Sequence, residues 1–271
     1  MTSKSANPLA DLLPIAHRAP KPRSKGLNYI RSPAILGSTL DALLECYAAE
    51  MDILKLSGHQ ATFAAESMIE RAIEACHAAG VRVSIGNPPL DMALNSGRGG
   101  LEKVLGKYAE WSVDLIEISV IARAIDDDDL AEVINMANAH DIEVIAEVGV
   151  DFAHTQSKDN ELFLDRRCQQ ATKARDAGAK FVLLESEGLT ENRHGEPMRW
   201  DAVDRFASQF STAEIIFEAD DQDVMCQLIE IYGPKSNMMV DYSRIEKIEA
   251  ARRGSPPSQF LWGKVATIAP R

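Results

Sequence analysis

Residues 144–149 read Val-Ile-Ala-Glu-Val-Gly: four apolar residues around one carboxylate, closed by a glycine. The run is too short for a helix, and it lacks clean alternation of apolar and polar positions. Those two properties mark a strand covered on both faces, as in a parallel sheet. Runs of the same kind recur along the chain at Leu27–Ile30, Asp52–Ser57, Val81–Ile85, Leu115–Ser119, Phe181–Glu185, Ile215–Glu218 and Met238–Tyr242. Helical windows lie between them. Phe63–Ala79 places Met68, Ile69, Ala72, Ile73 and Cys76 on one face ahead of the stop at Gly80. Leu130–Ala139 follows the acidic run Asp126–Asp129, which sets negative charge at a helix N-terminus, where the macrodipole favours it. Arg166–Ala177 stops at Gly178, and Val224–Ile231 stops at Gly233-Pro234.

Strands alternating with helices in this way predict an α/β fold, a single (β/α)8 TIM barrel with an N-terminal extension. A doubly wound open sheet is the alternative. It usually carries a glycine-rich phosphate turn after its first strand, and Ser84-Ile-Gly-Asn-Pro-Pro89 does not fit that pattern. The expected division is an arm over residues 1–25 and a barrel over 26–271. The arm holds Pro14, Pro20 and Pro22 with Arg18, Lys21, Arg23 and Lys25, so it reads as extended, with Leu9, Leu12, Leu13 and Ile15 in a short docking helix.

Composition narrows the function classes. The 271 residues carry a formal charge of −12, and no Lys/Arg run exceeds a pair, which argues against a nucleic-acid partner. An anionic substrate would be met by a few local cations. Cys46, Cys76, Cys168 and Cys226 form no CxxC pair and read as small buried hydrophobes or idle thiols. No apolar stretch approaches a membrane span, and the N-terminus lacks a signal-peptide core, so a cytoplasmic protein is expected, with a homo-oligomer left open.

Catalytic groups of a barrel sit at the C-terminal ends of its strands. Reading those ends in order gives Lys55, Asn87, Glu117, Glu147, Glu185, Glu218 and Asp241. Carboxylates and a lysine inside apolar strands are costly to bury unless paired, hydrogen-bonded or bound to metal. Taken singly, each reads as a strand-end salt bridge; together on one rim they point to a site. Carboxylates with hard oxygen donors suit Mg2+, and Glu147, Glu185 and Glu218 are the candidate ligands. Lys55, Glu117 and Glu147 are the candidate catalytic residues, with Lys55 either an anchor for a substrate anion or an acid/base.

Asn87, His59, Arg193 and Arg199 are the candidate substrate contacts. His59 follows the second strand end and faces the expected mouth. His77 and His140 lie at helix ends and read as structural, and His154 and His194 lie in polar loops. No HxH or HExxH spacing points to zinc. The loops Asp151–Leu164 and Glu187–Arg199 are long enough to serve as lids.

The segments DILKLSG, VRVSIGN, LIEISV, VIAEVG, DAGAKFVLLE, IIFEA and the late AARRG…WGKV resemble, in order and spacing over about residues 26–267, the phosphosulfolactate synthase family. KPRSKG, LKLSGHQ and YGPKSNMMVDYSRI are similar to its plant heat-stress-associated branch, which is linked to thermotolerance. The resemblance implies a (β/α)8 barrel that adds sulfite to phosphoenolpyruvate with Mg2+. It carries over to Lys55, Glu117, Glu147, Glu185 and Glu218. Two positions depart from it: Val150 stands where the synthases show Lys, and Ser186-Glu187-Gly188 where they show Arg. Two functions are therefore expected to compete. One is a Mg2+-dependent lyase acting on a small anionic, enolate-forming carboxylate, and the other is a non-catalytic stress-associated barrel.

Overall fold

A computed structural model describes residues 8–32, 35–119, 127–148, 161–186, 189–190, 198–219 and 221–255. Its strands are β1 (Asn28–Ser32), β2 (Ile53–Leu56), β3 (Arg82–Ile85), β4 (Leu115–Ser119), β5 (Glu143–Val148), β6 (Phe181–Leu184), β7 (Ile215–Glu218) and β8 (Asn237–Asp241). All neighbours are parallel, and β8 pairs with β1 to close an eight-stranded barrel in sequence order. The open sheet is thereby excluded. Every apolar run of the sequence is a strand, with ends shifted by two residues or fewer.

The shift at the first strand matters most. β1 runs on to Ser32, so Arg31 belongs to the sheet and pairs in register with Lys55 of β2 and Asp241 of β8. Alternation then assigns the two faces. Ile30, Leu54, Val83, Ile116, Val144, Val182, Phe217 and Val240 join the large core between strands and helices. Leu27, Tyr29, Ile53, Leu115, Ile145, Phe181, Leu183, Ile216 and Met239 form a separate cluster that plugs the barrel. Both faces are apolar in the lower barrel, which is why the sequence shows no alternation there.

The helices that cover the strands are α2 (Ser38–Tyr47), α3 (Gly58–Phe63), α4 (Glu66–Ala78), α5 (Pro88–Leu94), α6 (Arg98–Glu110), α7 (Asp127–Ala139), α8 (Glu161–Asp176), α9 (Trp200–Ala207), α10 (Gln222–Tyr232) and α11 (Ile245–Arg253). The window expected as one helix from Phe63 to Ala79 is broken. Ala64 and Ala65 are extended, and α3 ends at Phe63 before α4 begins. Helix α3 starts in a capping box: Ser57 accepts from the Gln60 amide, and the Gln60 side chain accepts from the Ser57 amide. Residues 161–164, expected within a loop, are the first turn of α8.

The arm enters with a short helix α1 (Pro8–Leu12), but Leu9, Leu12 and Leu13 are exposed, so it does not dock by apolar burial. Its cations hold it instead. Arg23 pairs with Asp52 at 3.0 Å, Arg18 with Glu249 at 3.1 Å, and Lys21 donates to the Ala48 carbonyl at 2.8 Å. Beneath them, buried Arg252 donates to Asn28 Oδ1 and to the carbonyls of Leu27, Pro234 and Ser236. The cysteines are free, Cys46 exposed and the other three buried. No helix among the described residues is long and apolar enough to cross a membrane.

Candidate active site at the barrel mouth

Tyr29, Ile53, Leu115, Ile145, Leu183, Ile216 and Met239 fix which strand positions face inward. Two residues further along β1, β2, β4, β5, β6, β7 and β8, the same face reaches Arg31, Lys55, Glu117, Glu147, Glu185, Glu218 and Asp241. Each is set at the top of the barrel by a residue of the plug beneath it. Lys55 and Glu117 form an ion pair. The Tyr29 hydroxyl, wholly buried below them, lies 3.1 Å from Glu117 Oε2 and 3.0 Å from Ser84 Oγ. Glu117, Glu147, Glu185 and Glu218 are then linked side chain to side chain in strand order. The far end closes on Arg31, whose Nη1 donates to Glu218 Oε1 at 2.7 Å.

A row of carboxyls linked to one another cannot all be charged in a water-poor site. Burial opposes charge on Glu117, yet Lys55 and the hydrogen bonds from Glu147, Lys55 and Tyr29 together hold its pKa below the ordinary carboxylate value. Burial and the adjacent Glu117 charge push Glu147 well up. Burial, then Glu147 and Glu218, push Glu185 up as well. Burial also works against the Lys55 charge, but Glu117, Glu147 and Glu218 outweigh it and its pKa is raised. Burial and Glu117 raise Tyr29, so its phenol keeps its proton. The mouth thus holds two ion pairs, Lys55 with Glu117 and Arg31 with Glu218, around Glu147 and Glu185, whose pKa values are pushed toward the protonated form.

A pocket of about 230 Å3 opens over the Lys55 end, lined by Arg31, Ser32, Lys55, Gly86, Asn87 and Glu117 among others. Its wall is tight. A Cβ on Gly58 would stand 2.4 Å from Pro89 Cδ and 2.7 Å from Pro88 Cδ, so the second and third strand–helix turns touch through that glycine. Gly86 leaves room for Lys55, whose Cε would lie 3.1 Å from a Cβ there. His59 and Asn87 line the pocket as expected. His59 stacks on Phe63 at 6.3 Å, and the Asn87 side chain makes no capping hydrogen bond to α5. Arg199 forms a bidentate pair with Asp201 at the start of α9 and is outside the pocket lining. Asp241 accepts from the amide and hydroxyl of Ser243. Arg193, His154, His194, Val150, Glu187 and most of the two expected lid loops lie outside the described residues. His77 and His140 pair with Asp114 and Glu102, each at 2.8 Å. Three site residues were missed from sequence: Arg31, Tyr29 and Ser84.

With the geometry in place, the chain was compared with known proteins. Residues 16–256 match the family model described as (2R)-phospho-3-sulfolactate synthase (ComA). The chain belongs to this family. Among curated relatives, it is 23% identical over 255 residues to Protein HEAT-STRESS-ASSOCIATED 32 of Arabidopsis thaliana, covering 87% of this chain and 88% of that one. It is 21% identical over 248 residues to the phosphosulfolactate synthase of Methanocaldococcus jannaschii, covering 89% and 95%. The solved structure of a 3-hexulose-6-phosphate synthase from Salmonella typhimurium superposes with a TM-score of 0.57 at 10% identity, over 83% and 98% of the two chains, a likeness of fold alone.

The ComA relationship raises the question of a divalent ion. Among the described residues no three of His, Cys, Asp and Glu are gathered as a formed metal site. The donor chemistry nevertheless fits a hard ion. Glu147 and Glu185 are linked carboxyls that would give up their protons to a bound cation, and Mg2+ is bound through one or two carboxylates with waters and substrate oxygens supplying the rest. Glu218, the third expected ligand, is engaged by Arg31 and by the Ser186 amide at 3.3 Å.

Proposed function

We propose that this chain is a phosphosulfolactate synthase-like lyase that forms a bond between a nucleophile, sulfite in the family reaction, and an enolate-forming acid such as phosphoenolpyruvate. The observation that carries the reading is the Lys55–Glu117 ion pair on the pocket wall, beside the linked acids Glu147 and Glu185. Addition of sulfite to C3 of phosphoenolpyruvate forms one C–S bond, moves the double-bond electrons onto C2 and the carboxylate, and ends when C2 takes a proton. Lys55 is held protonated, so it steadies the developing enolate charge and supplies that proton. Glu117 keeps Lys55 in place, and Tyr29 and Ser84 keep Glu117 in place. Glu147 and Glu185 would hold Mg2+, which when bound supplies Lewis-acid stabilisation of the enolate oxygens.

The test is phosphorus NMR of the purified chain with phosphoenolpyruvate, sulfite and Mg2+. A phosphosulfolactate resonance is expected, absent without protein. A second nucleophile series, with thiols and water in place of sulfite, separates a changed co-substrate from a non-catalytic barrel, which would give no product with any of them.

A further inference from the structure

We propose that Arg31 is the oxyanion-holding residue of this mouth, with Glu218 as its resting counter-ion. It takes the carboxylate or phosphoryl oxygens of the acid beside Lys55, on the β1–β3 side, and the assignment rests on the reading above. Four observations converge on it. Arg31 and Lys55 are register partners on adjacent strands and share the inward face. Both line the same pocket. The Arg31 side chain is 37% exposed whereas its partner Glu218 is 3% exposed, so the guanidinium reaches from a buried carboxylate out to solvent. A guanidinium carries five donors in a planar fork, and that fork matches a carboxylate or phosphoryl group. Gly86, facing Lys55 from the turn after β3, keeps the pocket open where a side chain would press on the lysine. An incoming anion shares the Arg31 fork with Glu218 or displaces it.

The experiment is calorimetric titration with phosphoenolpyruvate, inorganic phosphate and pyruvate in turn, in Mg2+ and again in EDTA. The proteins are wild type, Glu218→Gln, and the double variant Arg31→Met with Glu218→Gln, which removes both charges of the pair. Phosphoenolpyruvate is expected to bind Glu218→Gln several-fold more tightly than wild type, and the double variant at least tenfold more weakly. Dependence on Arg31 seen with phosphate alone places the phosphoryl end on it, and with pyruvate alone the carboxylate end; either supports the proposal. Equal phosphoenolpyruvate affinity in wild type and the double variant overturns it, as does a wild type that binds none of the three. The two readings fail separately. Arg31-dependent binding without C–S bond formation keeps this proposal and removes the synthase reaction, and turnover with Arg31-independent affinity does the reverse.

Discussion

Lys55 shows how one residue acquires chemistry from its surroundings. In water a lysine is an ordinary cation; here burial opposes the charge and three carboxylates restore it. Lys55→Arg keeps the charge but cannot readily give up a proton, so kcat should fall about 100-fold or more while phosphoenolpyruvate affinity stays within a few-fold, as steady-state kinetics and calorimetry would show. Equal losses in both would make Lys55 an anchor alone. Tyr29→Phe should lower stability by about 1–2 kcal/mol in urea denaturation, because Glu117 and Ser84 lose a buried partner. No change would mean that the phenol only fills space. Lys55 and the four glutamates were legible in the sequence because a charge inside an apolar run has few innocent explanations. Arg31 was not, since Arg-Ser-Pro after Tyr29-Ile30 looks like the turn that ends a strand. Parity from Tyr29 would have placed it inward. Tyr29 was hidden for the opposite reason: an aromatic residue in a strand reads as core.

At the scale of elements, the barrel bottom is held by charge where the sequence suggested an apolar staple. The arm, the 3-10 turn Ala48–Glu50 and α11 meet around Asn28, whose side chain joins Glu249 at 2.7 Å to Arg252 at 2.9 Å. No local signal pairs residue 18 with residue 249; closure of the barrel brings them together. Burial pushes Glu249 up to about 7, against the pull of Arg18. A folded-state pKa above the ordinary carboxylate value means the native form keeps a proton that the unfolded chain releases. That contribution is complete below about pH 4.5 and is lost as pH rises through about 7. Glu249→Gln should therefore gain on wild type between pH 5 and pH 8 in thermal denaturation. A difference in melting temperature that is the same at both pH values would contradict the assignment.

For the whole molecule, eight parallel strands bring to one rim acids that are about 30 residues apart in sequence, as the general design of a barrel dictates. The fold was legible because every strand is an apolar run; what linked the rim residues to one another was not, because carboxyl–carboxyl contacts depend on register around the closed sheet. Millimolar Mg2+ should raise the melting temperature of the wild type by several degrees, on the order of 2–3 kcal/mol at a hundredfold excess over Kd. Glu147→Gln with Glu185→Gln should abolish the rise. A rise that survives in the double variant would move the ion elsewhere. The central claim is that the mouth is where substrate is held, and a crystal structure with phosphoenolpyruvate and Mg2+ tests it most directly. The account predicts anionic oxygens on Arg31 and Lys55 and the ion on Glu147 and Glu185. A ligand bound away from these four residues would contradict it.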